Sequence, residues 1–318
     1  MQERHLADAE EFVAGRAALL AAVGSLCQHL DEEGVTEIML NPDGKLWVER
    51  AGEGMSRAET EISPLEAERF LRFVAAENDK TLDAGNASVS GRLPLWGARV
   101  QGVIPPAVER PTFAIRMPSR FVFSLEQYVE HGVITEAECA ALCQLIVDEK
   151  TILIAGGTGS GKTTFLNAML RKLAELTEAR VMIIEDDPEV QSLIPNTLRL
   201  RTSYDYPPRR AAFDGMRLLP DRIIFGEIRD GVALDFLKAS ITGHPGMATI
   251  HANSCPTALT RFCQLVAETG TVVDRESVAE AVHAVVHLTR DRRVPAGRRI
   301  TGIRNVQGYE PNIGWVFS

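Results

Sequence analysis

Cysteines, aromatic residues, early cations and long apolar runs are all scarce in this 318-residue chain. The five cysteines (Cys27, Cys139, Cys143, Cys255 and Cys263) contain no CxxC pair, which excludes a four-cysteine zinc site and a disulfide framework. Cys139 and Cys143, four apart in "TEAECAALCQLIVDEK", share one helix face and read as reduced, buried thiols. An aromatic content of 6% leaves no visible stacking platform for single-stranded nucleic acid. No apolar run approaches the ~20 residues that span a bilayer. The start, "MQERHLADAEEF", lacks the apolar core of a signal peptide. A cytoplasmic protein without a membrane span is therefore expected. Net charge is −9, and residues 1–90 carry 8 basic against 18 acidic side chains, or −10. That balance argues against a protein that coats nucleic acid, and the acidic face reads as solubilising. Cations gather later: between Gly91 and Val122 five arginines meet one Glu.

What is present organises into two domains, as the length also favours. In the first, "DAEEFVAGRAALLAAVGSLCQHL" reads as a helix and "VTEIMLNPDGKLWVER" as a hairpin about Pro-Asp-Gly. "SPLEAERFLRFVAAEND" is a helix with Ser63 as N-cap and Glu66 completing a capping box. "SVSGRLPLWGARVQGVIPP" and "PTFAIRMPS" are further strands, so residues 1–120 form a small α+β domain. Prolines 105, 106, 111 and 118 close it, and a short linker is expected over about 117–130. From about Thr135 helices alternate with short apolar strands: "TILIAG", "RVMIIED", "TLRLRTS", "RIIFGE" and "MATIHA". This pattern predicts an α/β domain over 121–318, a mainly parallel sheet with helices on both faces. "VVHLTRDRRVPAGRRITGIRNVQGYE" adds two strands around an Arg-rich turn.

The segment "GGTGSGKTT" spans Gly156, Gly157, Thr158, Gly159, Ser160, Gly161, Lys162, Thr163 and Thr164. It matches GxxxxGK[ST] and lies where the mechanism needs it, after a strand and opening a helix. Glycines let backbone N–H groups turn around an anion, and the helix N-terminus adds its dipole. Lys162 should reach the β- and γ-phosphates of ATP, and Thr163 should hold Mg²⁺. Acidic groups are expected opposite the loop. "VMIIEDDPE" ends in Glu185, Asp186 and Asp187, and "RIIFGE" ends in Glu227. Carboxylates at the C-terminal ends of parallel strands face the ligand crevice. One can hold Mg²⁺ through water while another activates the attacking water.

In order, the phosphate loop, "IIEDDPEVQ", "LLPDRIIFGEIRD" and "GHPGMATIHAN" resemble the Walker A, Asp box, Walker B and His box of the hexameric type II and type IV secretion ATPases. "GRLPLWGARVQGVIPP…PTFAIRMPS" looks most like the conjugal-transfer, TrbB-type branch. The resemblance implies a RecA-like P-loop NTPase domain, a smaller N-terminal domain capping the nucleotide and a homohexamer. Its partners would be inner-membrane components of a secretion or conjugation machine, with the ring peripheral at the inner face of the membrane. Glu227 and Glu185 then serve Mg²⁺ and water, the choice of base remaining open. Arg99 and Arg116 match arginines that approach nucleotide in the family, and a planar guanidinium fork suits phosphate oxygens. Arg217, Arg222 and Arg229 flank the Walker B strand, and Arg217 and Arg222 are candidates to reach a neighbour's nucleotide. Relatives run Leu-Arg-Met-Arg-Pro-Asp-Arg there, and Leu219 replaces the middle arginine.

His244 and His251 bracket the last apolar strand. Six strand steps of ~3.3 Å separate them by roughly 20 Å, so both cannot touch one phosphate if the run is extended. His251 is the expected γ-phosphate sensor, with Asn253 near; His244 is expected to fix its loop or meet another subunit. The leading expectation is a motor for type IV secretion or conjugation. Alternatives are a type IV pilus or type II secretion motor with the same chemistry, and a DNA-dependent ATPase or helicase. A nucleotide-binding regulator without turnover fits less well, since Lys162, Thr163, Glu185 and Glu227 are all intact.

Overall fold

The structure, a computed structural model, describes residue 17 and residues 24–50, 53–93, 95–118, 122–291, 293–294 and 296–318. Most of the helix expected over residues 8–30 lies outside these; its end, residues 24–31, is helical and is labelled α1. The chain divides into two compact units, Met1–Arg120 and Phe121–Ser318.

The first unit is one antiparallel sheet with helices on it. Its strands are β1 (Val35–Leu40), β2 (Lys45–Arg50), β3 (Gly54–Glu61), β4 (Ser88–Leu93), β5 (Ala98–Val103) and β6 (Thr112–Arg116), in the order β3-β2-β1-β6-β5-β4. Helix α2 (Pro64–Glu77) starts where the capping box predicts: the Glu66 N–H donates to Ser63 Oγ, and the Ser63 N–H donates to the Glu66 carboxylate. Phe70, Leu71 and Val74 on one face of α2 share a core with Ile38, Val48, Val100 and Ile115 from the sheet. Strand β3 was not anticipated. Its residues, GMSRAETE, are mostly exposed, so no apolar alternation marks them.

The second unit is an eight-stranded sheet in the order β14-β13-β12-β7-β11-β10-β8-β9. The members are β7 (Ile152–Gly156), β8 (Val181–Glu185), β9 (Thr197–Arg201), β10 (Arg222–Phe225), β11 (Gly246–His251), β12 (Ala284–Arg290), β13 (Arg298–Glu310) and β14 (Gly314–Phe317). From β12 to β9 all pairs are parallel; β13 and β14 add antiparallel strands at one edge. Both faces are covered, as side-chain alternation shows. Leu153, Met182, Ile184, Ile223 and Phe225 pack with Phe236 and Phe262 of α7 (Val232–Ile241) and α8 (Cys255–Ala267). Their alternates, Ile152, Ile154, Val181, Ile183 and Ile224, pack with Phe165, Leu166 and Met169 of α5 (Lys162–Leu176) and with Leu142 and Ile146 of α4 (Glu136–Val147). Burying such a Leu, Ile or Phe side chain contributes roughly 1.5–3 kcal/mol, which is why fully apolar strands settle at the centre.

One expectation needs correction, and several elements were not foreseen. The segment 117–130 is not a bare linker: α3 (Leu125–Glu130) forms there, capped by Ser124 and Gln127, with Leu125 and Tyr128 buried. Between β9 and β10 lies α6 (Pro208–Gly215), followed by a 3-10 turn (Met216–Leu218). Finally, α8, α9 (Arg275–Ala281) and β14 were not foreseen.

Candidate functional site

The phosphate loop follows β7 at the carboxyl edge of the sheet. Gly159 and Gly161 take φ of +66° and +93°, left-handed values that side chains other than glycine's rarely adopt. Each reversal lets the loop curl before Lys162 opens α5. Lys162 is buried, and its Nζ donates to the Gly157 carbonyl at 3.0 Å. Burial pushes its pKa below the ordinary lysine value, and the Glu227 carboxylate opposes that shift. Thr163 and Thr164 are half-buried on the first turn of α5, and the buried Ser160 hydroxyl has no hydrogen-bond partner among the described residues.

Four side chains converge beside the loop. β7 lies between β11 and β12, and β11 runs parallel to it with His251 opposite Gly156. Both ring nitrogens of His251 lie 3.4 Å from Lys162 Nζ, and Nε2 lies 3.1 Å from Glu227 Oε1. The other Glu227 oxygen accepts from Arg229 at 2.5 Å. Arg229 also approaches Asp186, at 3.9 Å. The Gly226–Ile228 segment is tied to β11 by two bonds: Thr249 Oγ1 donates to the Gly226 carbonyl at 2.7 Å, and the Ile228 N–H donates to the Thr249 carbonyl at 2.8 Å. Thr249 therefore sets where Glu227 meets His251, two residues farther along the strand.

His251 has its pKa pushed down, first by burial and then by the Lys162 charge, against an upward pull from Glu227. At neutral pH the ring is thus uncharged, so its 3.1 Å approach to Glu227 is the polar contact of a neutral imidazole and not an ion pair.

Glu185 ends β8 and is buried, but both its oxygens are engaged. Oε2 accepts from the Glu189 and Val190 N–H groups, each at 3.0 Å, and Oε1 pairs with Arg199 at 3.1 Å. Burial raises its pKa despite those partners. Asn167 on α5 holds the same loop, its Oδ1 accepting from the Gln191 N–H at 2.9 Å. Glu185 therefore shapes the loop after β8.

His244 lies before β11, at the strand's opposite end from His251, with its N–H on the Ala239 carbonyl closing α7. Asn253 is exposed just beyond His251. Arg222 departs from the expected reach to a neighbour's nucleotide. It is buried at the amino end of β10, the end away from Glu227, donating to the Ile146 carbonyl at 3.0 Å. Arg217 is exposed and stacks on Phe213, 3.6 Å from the ring centre. In the first unit Arg99 and Arg116 are cross-strand partners on β5 and β6, and Arg92 is the partner of Arg99 on β4. Arg116 forks onto Glu37 at 2.8 and 3.0 Å. Sequence reasoning gives Arg229 no role in the site and does not reach Thr249, Asn167 or Arg199. Arg229 carried a signal, a cation two residues after the Walker B glutamate; the others are ordinary polar residues until the strands are set side by side.

Fold and motif together give a largely parallel α/β sheet with a GxxxxGK[ST] loop between β7 and α5. The family described as "Type II/IV secretion system protein" matches residues 89–310, and the chain belongs to that family. It is 42% identical over 286 residues to the "Probable conjugal transfer protein TrbB" of Sinorhizobium fredii, covering 89% of this chain and 87% of that protein. It is 41% identical over 289 residues to the "Conjugal transfer protein TrbB" of Rhizobium radiobacter, covering 90% and 88%. Among solved structures, the pilus retraction motor PilT with bound ADP superposes with a TM-score of 0.62 at 17% identity, covering 92% of this chain and 80% of that one. The Legionella pneumophila ATPase DotB gives 0.61 at 16%, covering 91% and 80%. At these identities the likeness is one of fold.

Proposed function

We propose that this chain is a RecA-like ATPase motor that energises a conjugative or type IV secretion apparatus. One observation carries the reading: Lys162, His251 and Glu227 meet beside a phosphate loop in a chain more than 40% identical to conjugal-transfer proteins. Residues 156–164 wrap the phosphates of ATP with backbone N–H groups, and Lys162 neutralises the β- and γ-phosphates. The donor set fits Mg²⁺: a half-buried Thr163 hydroxyl on α5 and the partly exposed Glu227 carboxylate offer hard oxygen ligands. When bound, the ion neutralises charge on the leaving phosphates. Glu227 orients the attacking water and accepts its proton. Arg229 holds the carboxylate in place, and His251 reports the γ-phosphate to β11. Glu185 keeps the loop after β8 in register. Six copies form a ring at the inner face of the membrane, against the membrane components of the apparatus, and hydrolysis drives rigid-body motion of the ring's subunits.

The test is ATP hydrolysis against protein concentration, wild type beside Lys162→Ala. Activity per chain should rise as the ring assembles and fall by at least ~10²-fold in the variant, as when a preorganised phosphate contact is lost. A variant as active as the wild type would remove the proposed site.

A further inference from the structure

The Arg-rich turn between β12 and β13 also comes to the phosphate loop. β12 runs parallel to β7 with Leu288 opposite Gly156, so Arg290, two residues on, reaches the level of the phosphate loop. β13 returns antiparallel and places Arg298 opposite Arg290. Cross-strand partners share a face, so both guanidiniums leave the hairpin on one side. Both arrive at the loop's left-handed glycines. Arg290 Nε donates to the Gly159 carbonyl at 2.9 Å. A Cβ on Gly159 would lie 2.8 Å from the Arg290 guanidinium, and one on Gly161 would overlap that of Arg298. The contact between hairpin and loop is therefore direct.

The charges are unequally shared around the turn. Asp291 pairs with Arg293 and Arg299, and the Arg293 guanidinium holds its carboxyl down at about 2. Among the described residues no carboxylate pairs with Arg290 or Arg298. The loop thus has His251 beside it from β11 and two uncompensated cations from β12 and β13.

We infer that Arg290 and Arg298 are positioning residues of the phosphate loop that adapt it to a nucleoside triphosphate. A phosphate loop accepts an anion only while its N–H groups face inward and its carbonyls outward. Arg290 supplies the donor that an outward Gly159 carbonyl needs. The pair also adds positive potential at a loop that must take up a polyanion. The inference rests on the nucleotide-binding reading of residues 156–164.

The experiment compares the full-length wild type with Lys162→Ala, Arg290→Ala, Arg298→Ala and Arg290→Lys. It reads equilibrium binding of a fluorescent ATP analogue, KM and kcat for MgATP, and Tm without nucleotide. Loss of a charge-assisted bond predicts a roughly tenfold rise in Kd and KM for each alanine variant, with kcat reduced about threefold or less. Tm without nucleotide should stay unchanged, and Arg290→Lys, which keeps charge and one donor, should recover part of the affinity. Alanine variants that bind as the wild type does, while Lys162→Ala loses binding, would overturn this inference and leave the ATPase reading standing. So would a loss in kcat at constant KM. A wild type that binds no ATP would overturn both. Should Arg290→Ala fail to fold, Arg298→Ala and Arg290→Lys carry the same comparison.

Discussion

His251 stands between an ammonium and a carboxylate, and that placement decides its proton. Burial and Lys162 lower its pKa more than Glu227 raises it. Acting as a sensor, the ring works in its neutral form, so turnover should hold from pH 8 down to about 6.5 and fall only below that. His251→Ala should keep nucleotide binding and lose turnover by ~10²-fold, within the usual range for one proton-handling group. An unchanged rate in that variant would return His251 to a packing role. Stability follows the same sign. His251, His283 and His287 all have pKa values depressed from 6.5, burial being the first cause in each. As pH falls through 6.5 the unfolded chain takes up protons that the folded chain resists, so stability should decline on the acid side. Urea midpoints at pH 7.5 and 5.5 measure this, and a higher midpoint at pH 5.5 would contradict it. Glu185 differs in its surroundings, its oxygens engaged by the loop after β8 and by Arg199. Glu185→Ala would leave the Glu189 and Val190 N–H groups without their side-chain acceptor and Arg199 with only the Val190 carbonyl, costing about 2–4 kcal/mol, while Glu185→Gln keeps one acceptor oxygen for the two N–H groups and should cost less. An alanine variant as stable as the wild type but inactive would return Glu185 to the metal and the water.

At the level of elements, legibility tracked signal strength. α5 begins at Lys162 and ends at Leu176, the segment that the motif and its apolar spacing delimit. β7, β8, β10 and β11 are short, apolar and buried on both faces, and a parallel sheet produces that pattern. β3 stayed hidden because an exposed edge strand needs no apolar side chains. α3 stayed hidden because six residues are too few for a period to show. One element carries a strain that sequence could not reveal. Leu219 follows the 3-10 turn at φ +55° and is 81% exposed. A left-handed Leu costs roughly 1–2 kcal/mol, and its exposed side chain regains little of that by packing. Leu219→Asn, which tolerates this region, should therefore stabilise the chain by up to about 1 kcal/mol. A lower melting temperature in that variant would mean that the leucine makes a contact worth more than its strain.

For the whole molecule, charge separates the proposed motor from a DNA-dependent ATPase. The chain is −9 overall, with −10 from the first 90 residues alone, and such a surface repels a phosphate backbone. Hydrolysis should therefore be unaffected by single-stranded DNA. Strong stimulation that disappears at high salt would favour the helicase reading.

By itself the sequence determined the phosphate loop, the order of the parallel strands' motifs and which acids end strands, because each depends on local spacing. Tertiary structure alone decided which residues meet. It set β11 and β12 on either side of β7, bringing His251 and Arg290 to one loop from 89 and 128 residues beyond Lys162. It also separated two glutamates that looked alike at strand ends. Glu185 is enclosed by backbone donors and Arg199, whereas Glu227 stands beside His251 and Lys162. Likewise, of the two histidines bracketing one strand, only His251 reaches the carboxyl edge, because an extended strand holds its ends apart.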